Sequence, residues 1–383
     1  MAPPFLRAVE RAVDPHGRTG PPGASVALAI GDDERATVHS RGSRQVFTDA
    51  GELATPLPMT ARTVHDMGSV TKVVVTTAAL MTYVDAGELG LDDPVRRFLD
   101  PWPGAGHLPD VTVADLLHHR AGLWEWWPTY VTASDPDAAM GVVTGLPLRY
   151  PPHSGRHYSD LGFMALGRIA EKVGGMSLLY AGSMLVLGPF EMTSARLGGA
   201  PRGAEVAAGA PGDVVERHMI ETGEPYPVTV SADAFDGWRD RVRRGEVDDG
   251  NAYHAFGGVA GHAGLFASAT DLLQFGRALL GSLTEDVAWR GEIVRTFFAE
   301  GPDPGQALGF RVWTSTVDGR TTTAVGHTGF PGIGFAVFPE FDATLVLLTN
   351  RLHRQAPPPP PPFEPLWRET LTGAHAHLLE RDS

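Results

Sequence analysis

GSVTK, residues 68–72, decides how this chain is read. It holds Ser69 and, three residues on, Lys72. Lysine is scarce: of 31 basic side chains, two are lysines, Lys72 and Lys172, and 29 are arginines. On a helix, positions i and i+3 share a face one turn apart. A serine hydroxyl is a weak nucleophile until a base takes its proton. A neutral lysine can be that base, and burial among Val73, Val74 and Val75 would lower its pKa from about 10.4. Arginine stays protonated and cannot take this role. An N-cap serine followed by an ordinary lysine gives the same local pattern, but the scarcity of lysine argues for an amine that must lose a proton. Lys172, in IAEKVGG, is on the polar face of its helix and reads as a surface residue.

Around this stretch, residues 69–86 are apolar on nearly all sides. VTKVVVTT favours strand by propensity and AALMTYVDAG favours helix; the length predicts one buried helix ending at Gly87. Upstream, FLRAVERAV within residues 1–18 reads as an opening helix. Residues 23–42 read as a hairpin, ASVALAI and ATVHS about a turn at GDD. Downstream, LDDPVRRFL and TVADLLHH read as short helices, and residues 158–175 as a helix with a glycine stop. Residues 199–260, rich in Gly, Pro and charge, read as an irregular insertion. Residues 268–281 read as a helix capped by Ser268 or Thr270. After 306, LGFRVWTST, TTTAVGHT, GIGFAVFP and ATLVLLTN read as an antiparallel meander. PPPPPP (357–362) is a stiff spacer before a closing helix. Strands at both ends and helices between them predict an α/β fold in one catalytic domain, 1–383. Its antiparallel sheet (about 1–65 and 265–383) is flanked by helices, and a helical subdomain (about 66–264) is inserted.

With 383 residues, 43% hydrophobic and 20% charged, the chain can bury a large core. A net charge of −14 makes nucleic acid a poor partner. RDRVRRGE (239–246) is flanked by acids and reads as a solvated face. The absence of cysteine excludes disulfides, thiol catalysis and cysteine-ligated metal. The N-terminus has no apolar stretch of signal-peptide length, and no segment has 18 uninterrupted apolar residues. The expectation is a cytoplasmic protein with no membrane partner. Oligomeric state is not legible.

Two further pieces join Ser69 and Lys72: HYSDLGF, with Tyr158 and Asp160 at a helix start, and GHTGF, with His327, Thr328 and Gly329 at a strand end. In this order they resemble the serine penicillin-recognising enzymes: penicillin-binding proteins, class C β-lactamases and related esterases and transacylases. That family is marked by Ser-x-x-Lys, Tyr-x-Asn and Lys/His-Thr-Gly, which stand here as SVTK, YSD and HTG. The resemblance covers roughly residues 20–355. It implies Ser69 as the nucleophile that is acylated, Lys72 as its base or relay, and Tyr158 as the proton shuttle. It implies an oxyanion hole from the backbone N–H groups of Ser69 and Phe330, with His327 and Thr328 beside the substrate.

Two departures matter. Asp160 replaces the commoner asparagine; a carboxylate only accepts, so it cannot donate to a substrate carbonyl, and its pull toward a charged Lys72 opposes the effect of burial, a balance the sequence leaves open. His327 stands where β-lactamases usually keep lysine and is mostly uncharged at neutral pH, so it grips a substrate carboxylate less firmly. Both point to neutral esters or amides. GEVDDGNA (245–252) resembles a loop that often carries histidine at Asp248 in relatives acting on cell-wall pieces, which weakens a cell-wall reading. LWEWWPTY (123–130) places Trp124 and Trp126 at the expected cleft, as platforms for an apolar group. His118 and His119 read as structural, and His262, in GHAG, as a turn or capping residue. HExxH, P-loop and calcium-loop spacings are absent, so no metal or cofactor is expected.

The expectation is therefore a serine acyl-enzyme that is a hydrolase or acyltransferase on an ester or amide of a small metabolite. An amine or alcohol acceptor would make it a transacylase of natural-product assembly. A D-alanyl-D-alanine carboxypeptidase or β-lactamase-type enzyme is the alternative. A non-catalytic sensor or scaffold is the other.

Overall fold

The two most apolar strand segments lie at opposite ends of the chain, and they pair with each other. In the computed structural model, which describes residues 2–31, 36–102 and 110–382, β1 (Gly23–Ile30) runs antiparallel to the last strand in the chain, from Ala24↔Thr349 to Ile30↔Ala343. The other strands are β2 (His39–Thr48), β3 (Gly51–Pro58), β4 (His65–Asp66), β5 (Arg196–Leu197), β6 (Leu265–Ala267), β7 (Arg311–Val317), β8 (Arg320–Gly329), β9 (Ile333–Phe338) and β10 (Ala343–Thr349). Seven form one antiparallel sheet in the order β3-β2-β1-β10-β9-β8-β7. β1 and β10 sit at its centre, where both faces are covered, so they read as apolar runs with little alternation. β7 is an edge strand, and its polar Thr and Ser residues fit that place.

One face packs on the helix Ala269–Glu285 and the inserted helices, through Phe275, Phe335 and Val337. The other is covered by the two terminal helices, Pro4–Ala12 and Glu364–Arg381, around Phe5, Phe338 and Trp367. Ser268 caps the helix Ala269–Glu285 in a reciprocal box with Asp271. Among the described residues, no helix is long and apolar enough to cross a membrane.

Several elements differ from the sequence reading. The first hairpin continues to Thr48 and gains a third strand, β3, whose alternation is weak because its residues are largely exposed. Of the expected GDD turn, only Gly31 lies among the described residues. LDDPVRRFL makes only a tight turn, Val95–Arg97. The insertion contains a helix, Val214–Thr222, stopped by Gly223 at φ +73°. A small sheet, β4-β6-β5, straddles residues 66 and 264, where the sequence suggested a division, and fastens the chain just before GSVTK to the chain just after GHAG.

The insertion is held by buried charge. Asp213 accepts from Arg239 Nη2 at 2.6 Å, Arg243 Nη1 at 2.8 Å and His254 Nε2 at 3.0 Å. Burial opposes ionisation, but the His254 and Arg239 hydrogen bonds and both arginine charges hold the carboxyl well below its usual range. Removing one partner of a buried ion group strands the other charge. Arg239→Ala is expected to cost about 3 kcal/mol in urea denaturation, whereas a change of less than 1 kcal/mol would show that the ion group contributes little to holding the insertion.

Candidate active site

The nucleophile's turn depends on a glycine. Gly68 has φ +48°, and a Cβ there would lie 2.5 Å from Pro331 Cδ and 3.3 Å from the Phe330 nitrogen. Ser69 follows in the tight turn Gly68–Val70, and the chain then widens into a π-helical segment, Lys72–Thr77, before the helix Ala78–Asp85. Val73, Val74, Val75 and Lys72 are fully buried. Lys72 Nζ donates to Ser69 Oγ at 2.8 Å. The end of β8 presses on the same turn: a Cβ on Gly329 would lie 2.3 Å from the Met67 carbonyl oxygen. The Phe330 nitrogen is thereby brought beside the Ser69 turn.

A second element supplies Tyr158 and Asp160. Ser159 caps the helix Asp160–Gly174 by accepting from the Gly162 N–H, and its hydroxyl donates to the Trp124 carbonyl at 2.6 Å. The Asp160 N–H donates to the Glu125 carbonyl at 2.8 Å. The Ser159 N–H donates to His119 Nδ1 at 3.0 Å, and the His119 ring lies 4.7 Å from the Tyr158 ring. So fixed, the Tyr158 hydroxyl donates to Ser69 Oγ at 2.9 Å, and Asp160 Oδ1 accepts from Lys72 Nζ at 2.6 Å.

These contacts bear on the charge of Lys72, which the sequence leaves open. Burial alone lowers its pKa, as the sequence suggests, but the charge of Asp160 and its hydrogen bond reverse the balance and raise it. At rest the side chain is an ammonium. To act as a base it must first pass a proton on, and Asp160 Oδ1 is its closest acceptor among these contacts.

His327 is buried on β8, its Nδ1–H donating to the Thr328 carbonyl at 2.7 Å. Burial, then the charges of Lys72 and Arg311, hold the ring neutral, far below the usual imidazole range. Thr328 is half-buried and Phe330 exposed at the strand end. The tryptophans part company. Trp124 is half-buried, its indole N–H donating to the Pro147 carbonyl at 2.9 Å, with the Arg149 guanidinium 4.9 Å over its ring. Trp126, expected at the cleft, is 3% exposed and packs with Ile220 and Ala232. Its apolar ring gains more from this core than from water, so it offers no platform.

Several residues escaped the sequence reading. The His262 carbonyl accepts from Lys72 Nζ at 3.4 Å, and its ring is fixed by Asp249 at 2.9 Å. Asp248 is turned away in an ion pair with Arg243. Arg156 lies 5.6 Å over the Tyr158 ring, and its Nε donates to Gln306 Oε1 at 2.7 Å. The Gln306 amide in turn donates to the Phe310 carbonyl, just before Arg311, at 3.0 Å. Arg156 Nη2 and Arg311 Nε are buried without a hydrogen-bond partner. The sequence reads His262 as a turn or capping residue, and its role at Lys72 comes through the backbone carbonyl, which no side-chain pattern signals. Among the described residues, no group of three or more acidic or histidine side chains could hold a metal ion.

Two outcomes follow from this geometry. In Asp160→Asn, burial of Lys72 is no longer opposed by a carboxylate, so the amine becomes neutral at lower pH. The same change removes the nearest acceptor for the Lys72 proton, which must then leave to solvent, so kcat/KM should fall at neutral pH and recover as pH rises; an unchanged rate at neutral pH would separate Asp160 from the relay. Gly329→Ala should push β8 off the Ser69 turn and reduce the acylation rate ~100-fold with the melting temperature little changed, as read by single-turnover kinetics and calorimetry.

The beta-lactamase family profile matches residues 9–361. An N-acetylmuramyl-L-alanine amidase of Bacillus subtilis (strain 168) is 27% identical over 373 residues, covering 91% of this chain and 81% of the relative. A putative D-alanyl-D-alanine carboxypeptidase of Escherichia coli (strain K12) is 26% identical over 372 residues, covering 91% and 82%. The D-amino acid amidase of Ochrobactrum anthropi SV3 superposes with a TM-score of 0.70 at 19% identity, over 99% of this chain and all of its own. With the profile spanning nearly its whole length, the chain belongs to the beta-lactamase family of serine hydrolases.

Proposed function

We propose that this protein hydrolyses an amide bond in a small acyl-amino-acid or peptide substrate, through an acyl-enzyme on Ser69. The observation that carries this reading is that one atom, Ser69 Oγ, lies within hydrogen-bond distance of both Lys72 Nζ (2.8 Å) and Tyr158 OH (2.9 Å). Lys72 yields a proton to Asp160 and, as a neutral amine, takes the Ser69 proton while Oγ attacks the carbonyl carbon. The N–H groups of Ser69 and Phe330 receive the developing oxyanion. Tyr158 protonates the departing nitrogen and recovers its proton from Lys72 as the C–N bond breaks. Water then attacks the ester carbonyl, its proton returning through Tyr158, and Ser69 is released. The amidase and carboxypeptidase names of the relatives favour water as acceptor over an amine or alcohol.

The substrate class follows from the flank of the site. His327 is neutral, which by itself favours an uncharged substrate. Arg156 and Arg311, however, keep unused buried N–H groups, and Asp303, the acid that acts on Arg156, is ion-paired with Arg120. A buried donor without a partner costs about 1–3 kcal/mol, which a bound carboxylate would recover. The reading is that the leaving part of the substrate carries a carboxylate, met by the two arginines in place of a strand lysine.

Intact-protein mass after mixing with a p-nitrophenyl ester should show an adduct that is lost in Ser69→Ala; labelling that survives this change defeats the reading. Added amines should not appear in the product. An N-acyl-D-alanyl-D-alanine should be cleaved about tenfold or more faster, as kcat/KM, than its C-terminal carboxamide, and Arg156→Gln with Arg311→Gln should erase the preference. Equal rates on the two peptides in wild type would remove the carboxylate from the proposal.

A further inference from the structure

The insertion 199–260 and the nucleophile meet at a single carboxylate outside the proton relay. Asp66, on β4, is buried. Its Oδ1 accepts from the Gly68 N–H at 2.8 Å, within the turn that presents Ser69. Its Oδ2 accepts from the Asp248 N–H at 2.6 Å, across 182 positions of sequence. From Asp248 the segment runs through Asp249, which fixes the ring of His262, whose carbonyl accepts from Lys72. Ser69 and Lys72 are thus both braced by one stretch of the insertion, and Asp66 is the brace on the Ser69 side.

We propose that Asp66 is a positioning residue for Ser69: its carboxylate ties the nucleophile's turn to the inserted segment, and a proton on it unties them. Both partners are N–H donors, so both oxygens must accept. A carboxylic acid turns one of these oxygens into a neutral hydroxyl, a weaker acceptor than a carboxylate, and so loosens that bond. Gly68 is held in the left-handed region, and its departure would displace the Ser69 Oγ that Lys72 and Tyr158 must reach.

The charged groups around Asp66 bear on that proton. From the insertion come Asp248, ion-paired with Arg243, and Asp249, paired with His262. On β4 itself, His65 is buried, and burial lowers its pKa to about 4, so it stays neutral. Opposite on β6 stands Phe266, which carries no charge. Burial first, then the Asp248 charge, push the Asp66 carboxyl up to about 7, against the pull of its two N–H donors. The sign is therefore fixed: catalysis rises with pH through about 7 as Asp66 ionises. Stability runs the other way. Between the unfolded value of 3.8 and about 7 the native state keeps a proton that the unfolded chain has released, so this group's contribution falls as pH rises.

The proposal rests on Ser69 as nucleophile but not on the substrate class. It is tested by kcat/KM for p-nitrophenyl acetate across pH 5–9 in wild type, Asp248→Asn and Asp66→Asn, with Ser69→Ala as control. Asp248→Asn keeps the backbone N–H but removes the neighbouring charge, so the limb near pH 7 should move roughly one unit to the acid side, whatever the height of the alkaline plateau. Asp66→Asn should lose that limb and fall roughly tenfold or more at every pH, because its amide NH₂ faces a donor. A limb that stays in place in Asp248→Asn overturns the proposal, even if Asp66→Asn fails to fold. Activity that survives Ser69→Ala would instead overturn the nucleophile assignment itself.

Discussion

The structure turns on a buried ammonium. Lys72 is wholly enclosed among Val73, Val74, Val75 and the aromatic rings of Tyr158 and Phe163. A charge taken out of water costs several kcal/mol unless it is paired and hydrogen-bonded. Here Ser69 Oγ, Asp160 Oδ1 and the His262 carbonyl share that task. Each comes from a different part of the chain: the turn after β4, the start of the helix Asp160–Gly174, and the GHAG loop before β6. Satisfying one cation therefore gathers the nucleophile, the tyrosine element and the far end of the insertion into one place. The carboxylate that stabilises the ammonium is also the closest acceptor for its proton among these contacts.

Around this centre, charge that cannot be left bare organises the irregular part of the molecule. Residues 199–260 contain little regular structure, yet Asp213, Arg239, Arg243 and His254 form a closed buried group, and Glu216 is sealed beneath Tyr130 and the Gly250 N–H. Burial, then the Asp249 charge, raise the Glu216 carboxyl to about 8. Ion pairs and side-chain-to-backbone bonds give this segment the definition that a sheet or helix would supply by its own ladder. That definition reaches the active site through Asp248, Asp249 and His262. The insertion is thus packed against the Ser69 turn and Lys72.

The loop of tryptophans shows how position and function separate. Its carbonyls at Trp124 and Glu125 hold Ser159 and Asp160, so the loop orients the Tyr158 element through its backbone. The rings do other work: Trp126 fills a small core with Ile220 and Ala232, and Trp124 leans on Trp127. Aromatic clustering in a sequence reports apolar area, but it does not say which side of that area faces water.

By itself the sequence determined the central strands, the buried helix after GSVTK, the capped helices and the three pieces Ser69–Lys72, Tyr158–Asp160 and His327–Gly329. These were legible because each rests on local rules: apolar period, cap residues, turn glycines, and the difference between an amine that can lose a proton and a guanidinium that cannot. The strand β3 and the helix Val214–Thr222 were missed because their patterns are weak and mostly exposed. The tertiary structure alone decided the charge on Lys72, since burial and the Asp160 carboxylate act in opposite directions and only their distances fix the balance. It also brought Asp66, Asp249 and His262 to the turn and lysine of GSVTK, set Arg156 over the Tyr158 ring, and buried Trp126. Residues 66 and 248, or 72 and 262, are neighbours only after folding, and no local pattern encodes a contact between groups so far apart along the chain.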